Sequence, residues 1–231
     1  MKDRITRDDF ARMIAGAAAL IREQHAMLSQ LDSAAGDGDH GATMVRAVDK
    51  LETCFGAGGA GDLKTCLGEA GWSVLGVDGG ASSSLLGTFF SGMANAPACG
   101  ASMNAGDLAG IFEAGLAAVR KQTKAQPGDK TMMDALVPAV AALRAAADGG
   151  KSVTEALHDA DSAARAGAEA TRDLVARYGR AKFLGEKTRG HQDPGATSMS
   201  LLFEGFYRGL EGPRDARGDA AQRGRGDGAT R

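Results

Sequence analysis

The stretch Arg7–Met44, RDDFARMIAGAAALIREQHAMLSQLDSAAGDGDHGATM, joins two kinds of chemistry end to end. Up to Leu31, apolar residues recur at helical spacing (Phe10, Met13, Ile14, Ala17, Ile21), set among good helix formers. Between Gly36 and Gly41 that pattern stops. Asp32, Asp37 and Asp39 crowd together there, with Gly36, Gly38 and Gly41 threaded between and after them. Like charges this close repel unless something positive sits among them.

The same alternation runs along the rest of the chain. Gly- or Pro-rich breaks fall at 56–61, 76–80, 97–106, 127–128, 149–150 and 185–195, and the segments between them are rich in Ala, Leu and Met. β-branched runs are nearly absent, so strands have little support. The pattern predicts about eight helices in an all-α, up-and-down arrangement. Four joints are chemically dense: GDGDHGATM (36–44), VDGGASSSLLGTFF (77–90), QPGDKTMMDAL (126–136) and LGEKTRGHQDPGATS (184–198). CFGAGGAGDL (54–63) and ADGGKSV (147–153) read as plain connectors. The dense joints follow the first, third, fifth and seventh helices, so an up-and-down topology gathers them at one end.

Composition narrows the function classes. The 231 residues are 43% hydrophobic and 24% charged, with a formal net charge of −2, which gives no reason to expect nucleic acid or an acidic membrane as partner. Aromatics make up 5%, with Trp72 the single Trp, so a base-stacking platform is not expected. Cys54, Cys66 and Cys99 show no CxxC spacing and read as free thiols of a reducing cytosol. The charged start has no signal-peptide character, and no apolar run spans a bilayer; the expected location is cytoplasmic. Residues 1–212 are expected to form one domain. From Pro213 the chain has five Arg to three Asp and no large aliphatic or aromatic residue, and it reads as a disordered Arg/Gly-rich tail, 213–231.

Each dense joint carries a testable reading. The three aspartates suit a hard cation such as Mg²⁺, which takes oxygen ligands from a backbone that bends sharply; an acidic turn uses the same residues. His40 beside them suits a phosphate or a metal as well as a structural hydrogen bond. Gly79 and Gly80 allow close backbone approach at a helix start, with Ser82 as its expected N-cap. Asp129 is the expected cap after Pro127–Gly128, Met133 is expected in the core, and Met132 is open between core and a flat ligand ring. Asp193 before Pro194 marks a further helix start, with Gly195 leaving amides approachable. Arg180, Lys182, Lys187 and Arg189 bring positive charge to that joint. Neither the P-loop spacing nor a dinucleotide fingerprint is present, and no covalent nucleophile has an evident base. Together these features suit Mg²⁺ and a nucleotide phosphate chain, and phosphoryl transfer driven by positioning and charge neutralisation.

The motifs LDSAAGDGDHGATM, GGASSSLLGTFF, PGDKTMMDALVPAV and GRAKFLGEKTRGHQDPGATS, in this order, resemble the nucleotide-binding L subunit of the dihydroxyacetone kinases over residues 7 to 210. The resemblance implies a closed antiparallel eight-helix barrel with ADP or ATP and two Mg²⁺ at one end. It implies Asp32, Asp37 and Asp39 as metal ligands, and His40, Gly41, Ala42, Thr43, Ala81 and Ser82 as phosphate contacts. Thr123 and Met132 would lie near the nucleoside, with Arg180 and Asp193–Pro194–Gly195 completing the pocket and Arg180 as charge stabiliser. It further implies a separate ketose-binding K subunit as partner and either ATP or a phosphotransferase-system phosphocarrier as donor. Erythrulose as the ketose, or a non-catalytic role regulating a transcription factor, are the alternative readings. Ser83–Ser84, Thr43, Asp78 and FLGEKTRG depart from the family pattern around the pocket and its rim.

Overall fold

The computed structural model describes residues 1–56 and 61–212; the expected disordered tail, 213–231, lies outside the described residues. Eight α-helices are present among them: α1 (Arg7–Ser33), α2 (His40–Phe55), α3 (Leu63–Leu75), α4 (Gly80–Met93), α5 (Ala105–Gln122), α6 (Met133–Asp148), α7 (Val153–Ala170) and α8 (Pro194–Glu211). Short 3-10 turns occupy Thr171–Asp173 and Ala181–Thr188. The only strand-like pairing among the described residues is an isolated antiparallel bridge between Ile5 and Met103. No helix among the described residues is long and apolar enough to cross a membrane.

Each helix packs against the next in sequence, and α8 returns against α1, so the neighbour contacts form a ring. The seam between α1 and α8 is built from small residues. A Cβ on Gly205 would run into the backbone of Gly16 and Ala17, and one on Gly209 into that of Arg12 and Met13. Gly205→Ala should therefore cost about 1–3 kcal/mol, as overpacked sites do, and chemical denaturation read by circular dichroism checks it. The ring's interior is filled by side chains. Phe112 of α5 meets Phe89 of α4 at 5.8 Å between ring centroids, and Phe203 and Phe206 of α8 at 5.6 and 5.8 Å. Met133 is fully buried among them, as expected.

The two ends of the bundle differ in how helices begin. α1, α3, α5 and α7 start with their own side-chain caps: Thr6, Asp62, Asn104 and Ser152, three of them in reciprocal capping boxes. At the other end α2 and α4 start at Asp39 and Gly79 with no side-chain cap. The expected helix starts need two corrections. Ser82 is not the cap of α4 but lies in its first turn, because the glycine pair lets the helix begin earlier. Asp129 does not cap α6; its carboxylate accepts from the Gln126 amide and pairs with Arg177. A third correction concerns 151–184, which carries no Gly or Pro pair to divide it. α7 stops at Ala170, where the Thr171 hydroxyl turns back onto the Ala168 carbonyl at 2.5 Å. A long joint, 171–193, follows.

Candidate functional site

The joints 34–39, 76–79, 123–132 and 171–193 converge on one cavity of about 500 Å³. The four chemically dense joints thus share one end of the bundle, as the alternation along the chain predicts.

Its acidic corner is the α1–α2 joint. The Asp32 carbonyl accepts the amides of Ala35 and Gly36, at 2.9 and 2.5 Å, and its carboxylate accepts the Gly38 amide at 2.9 Å. The turn needs its glycines: Gly38 has a φ of 77°, and a Cβ on Gly36 would run into the Asp32 carboxylate. One carboxylate oxygen from each of Asp32, Asp37 and Asp39 lies within 4.8 Å of the others. At that spacing the like charges repel one another, more strongly near protein than in bulk water. Arg180 reaches over from 171–193 and pairs with Asp37. The guanidinium holds the Asp37 carboxyl below the usual range, whereas burial and the neighbouring Asp37 charge push Asp39 up. Three carboxylates against one guanidinium leave about two negative charges. That donor set fits a hard divalent cation.

His40 opens α2 and is buried. One ring nitrogen lies 3.1 Å from the Ser82 hydroxyl on α4 and the other 3.0 Å from the Ser198 hydroxyl on α8. Burial lowers its pKa, so the ring is neutral near pH 7. The imidazole thus fastens three helix N-termini together, and both of its nitrogens are engaged. Among the phosphate contacts expected on α2, the structure brings Thr43 away from the cavity wall: it is buried, its amide bonds the Asp39 carbonyl, and its hydroxyl accepts from Arg46 at 3.0 Å. Gly41 is packed against the His25 carbonyl of α1, and Ala42 is exposed. What Gly41 and Ala42 offer is the first-turn amides of an uncapped helix.

Ala81, Ser82, Thr123, Met132, Arg180, Asp193, Pro194 and Gly195 all line the cavity. Asp193 caps α8, accepting the Ala196 amide at 2.7 Å. Of the other cations at this joint, Lys182 lies over the Phe183 ring and Arg189 pairs with Glu186. Sequence reasoning missed Lys130 and Tyr178 on the wall; Asp78, expected around the pocket and its rim, also lines it. Lys130 stood within a quoted motif, but nothing in its neighbours marks a lysine as buried.

Burial pushes the Asp193 carboxyl up to about 7, from an ordinary 3.8. A raised carboxyl means that the fold disfavours the charged form. Its contribution to stability is therefore whole below about pH 4 and lost as pH rises to about 7. Asp193→Asn keeps the capping oxygen without the charge. In the absence of ligand, its melting temperature relative to wild type should climb between those limits and level off above them. A flat difference across that range refutes the assignment.

Residues 34–208 match the DAK2 domain family. The chain belongs to that family. Among DAK2 relatives, it is 38% identical over 188 residues to the protein named PEP-dependent dihydroxyacetone kinase 1, ADP-binding subunit DhaL, of Listeria innocua, covering 81% of this chain and 89% of that one. It is 36% identical over 177 residues to the PEP-dependent dihydroxyacetone kinase, ADP-binding subunit DhaL, of Escherichia coli, covering 77% and 84%. The solved dihydroxyacetone kinase of C. freundii, in complex with AMP-PNP and Mg²⁺, superposes with a TM-score of 0.65 at 26% identity over 86% of this chain. The DAK2 chain described here spans about a third (33%) of that larger kinase.

Proposed function

We propose that this chain is the nucleotide-binding, phosphoryl-donating subunit of a dihydroxyacetone-type kinase. The observation that carries the reading is the meeting, in one cavity, of three clustered carboxylates, two uncapped helix N-termini and Arg180. Asp32, Asp37 and Asp39 would hold Mg²⁺, which neutralises a nucleotide phosphate chain. The free first-turn amides of α2 and α4 bind phosphate oxygens through N–H groups and the helix dipole. Arg180 stands at the aspartates to stabilise charge on the transferring group. Met132 and Thr123, both on the cavity wall, take the nucleoside.

This machinery holds a phosphate donor, and no group described in the cavity is an evident site for a small ketose. A separate K-type subunit is the fitting acceptor carrier. The exposed large apolar side chains of the described residues, Met1 aside, support that placement. Tyr178, Phe183 and Leu184 lie on 171–193, and Trp72 and Leu75 in the last turn of α3, all on segments leading to the cavity. A clustering of exposed apolar side chains on one end suits a partner surface. The "PEP-dependent" and "ADP-binding" names of the relatives favour a bound ADP recharged by a phosphocarrier over exchange of free ATP. The test is turnover of dihydroxyacetone by this chain, a K-type subunit and the phosphocarrier, each omitted in turn. Loss of product on each omission is expected; product formed without the K-type subunit overturns the division of labour.

A further inference from the structure

We infer that Lys130 is a positioning residue: its ammonium pins together the two legs of the 171–193 joint and so fixes Arg180 above the three aspartates. The inference deepens the nucleotide-binding reading and rests on it for its catalytic meaning.

Three observations carry it. Lys130 is buried at 5% exposure, although lysine is among the residues least often found inside. Its Nζ lies 2.6 Å from the Thr171 carbonyl, 2.6 Å from that of His191 and 3.3 Å from that of Leu174. An ammonium has three protons, and here each has a backbone acceptor. Two acceptors stand where the joint leaves α7 and the third where it enters α8, so this side chain, beside the Gly190 amide on the Arg172 carbonyl at 2.8 Å and the Asp193 amide on the Thr171 hydroxyl at 2.9 Å, closes the loop whose middle carries Arg180.

The backbone supplies the second argument. Lys130 has a φ of 61°, the only positive φ at a non-glycine among the described residues. L side chains rarely adopt that conformation, and it persists where the surroundings over-determine it, often at functional sites. Glycine would relieve the backbone but bring no ammonium. The surroundings hold the turn from several directions: Asp134 accepts the amides of Gly128 and Thr131, at 2.6 and 2.8 Å, and the Arg177 amide bonds the Asp129 carbonyl at 3.1 Å.

The third argument is what else faces the ammonium. Burial, helped by Arg189, opposes its charge and lowers its pKa from the ordinary lysine value, while Asp193, Asp134 and Asp173 favour the charge. Lys130 thus joins the turn beside Met132, the Asp193 cap of α8 and the Arg180 loop.

Two variants test this. Lys130→Met keeps the length of the stem and loses the charge; Lys130→Gly loses the charge and relieves the φ, which guards against a variant that merely fails to fold. Hydrogen exchange of the ligand-free full chain should speed up at least about tenfold over 174–190 in both, with α1–α5 unchanged. Mg²⁺·ADP affinity should fall about tenfold in each single variant and in Arg180→Ala, and the Lys130→Met/Arg180→Ala double variant should be no weaker than Arg180→Ala alone. Unchanged exchange over 174–190, or losses that multiply in the double variant, overturns the inference. If wild type binds no Mg²⁺·ADP, the nucleotide reading fails, and the exchange result alone still decides whether Lys130 pins the joint.

Discussion

Replacing Asp37 by alanine is expected to lower phosphoryl transfer, measured with the partner subunits present, by about 10³-fold, and to weaken Mg²⁺·ADP binding by at least about 100-fold. Three carboxylate oxygens within 4.8 Å make a concentrated negative site that neutral water cannot neutralise, and Arg180 offsets only one charge. Removing Asp37 takes away a ligand and half of the Asp37–Arg180 pair together. The fold should not suffer. Asp37 is exposed, an ion pair between exposed groups contributes little to stability, and the loss of repulsion toward Asp39 acts in the stabilising direction. An unchanged melting temperature beside lost binding therefore separates a metal ligand from an acidic turn. Retained wild-type turnover refutes the metal assignment.

Arg180→Ala is expected to lower turnover by about 10²–10³-fold, while Mg²⁺·ADP affinity falls only about tenfold. The asymmetry follows from timing. Charge on the transferring phosphoryl group is greatest in the transition state, so a cation aimed there contributes more to kcat than to ground-state binding. Arg180→Lys should recover only part of the loss, because an ammonium lacks the paired donors of the guanidinium. Equal losses in kcat and affinity would make Arg180 a simple binding residue.

How much of this was legible in the sequence differs from element to element. The eight helices and their shared end follow from glycine and proline punctuation, which acts locally and so shows in a local reading. Asp32, Asp37 and Asp39 were visible because three acids within a glycine-rich turn are locally conspicuous. His40 was flagged for the same reason, but its contacts are Ser82 and Ser198, 42 and 158 residues away, and no neighbour in the chain announces them. Lys130 is a stronger case. Its role exists only because Thr171 and His191 come to it in the folded chain. The end of α7 at Ala170 was hidden likewise: Thr171–Val175 holds no glycine or proline, and the helix stops where tertiary hydrogen bonds to Lys130 compete with its continuation. Thr43 differs in another way. Position within a motif suggested the cavity, but helical geometry turns its side chain against Gly79.

The central claim is that this cavity holds a nucleotide through a divalent cation. The most direct measurement is calorimetric titration of the purified, nucleotide-stripped chain with ADP, with Mg²⁺ and again with excess chelator. Saturable one-to-one binding that needs Mg²⁺ and disappears in Asp37→Ala is the expected result; no binding, or binding indifferent to both Mg²⁺ and Asp37, contradicts it.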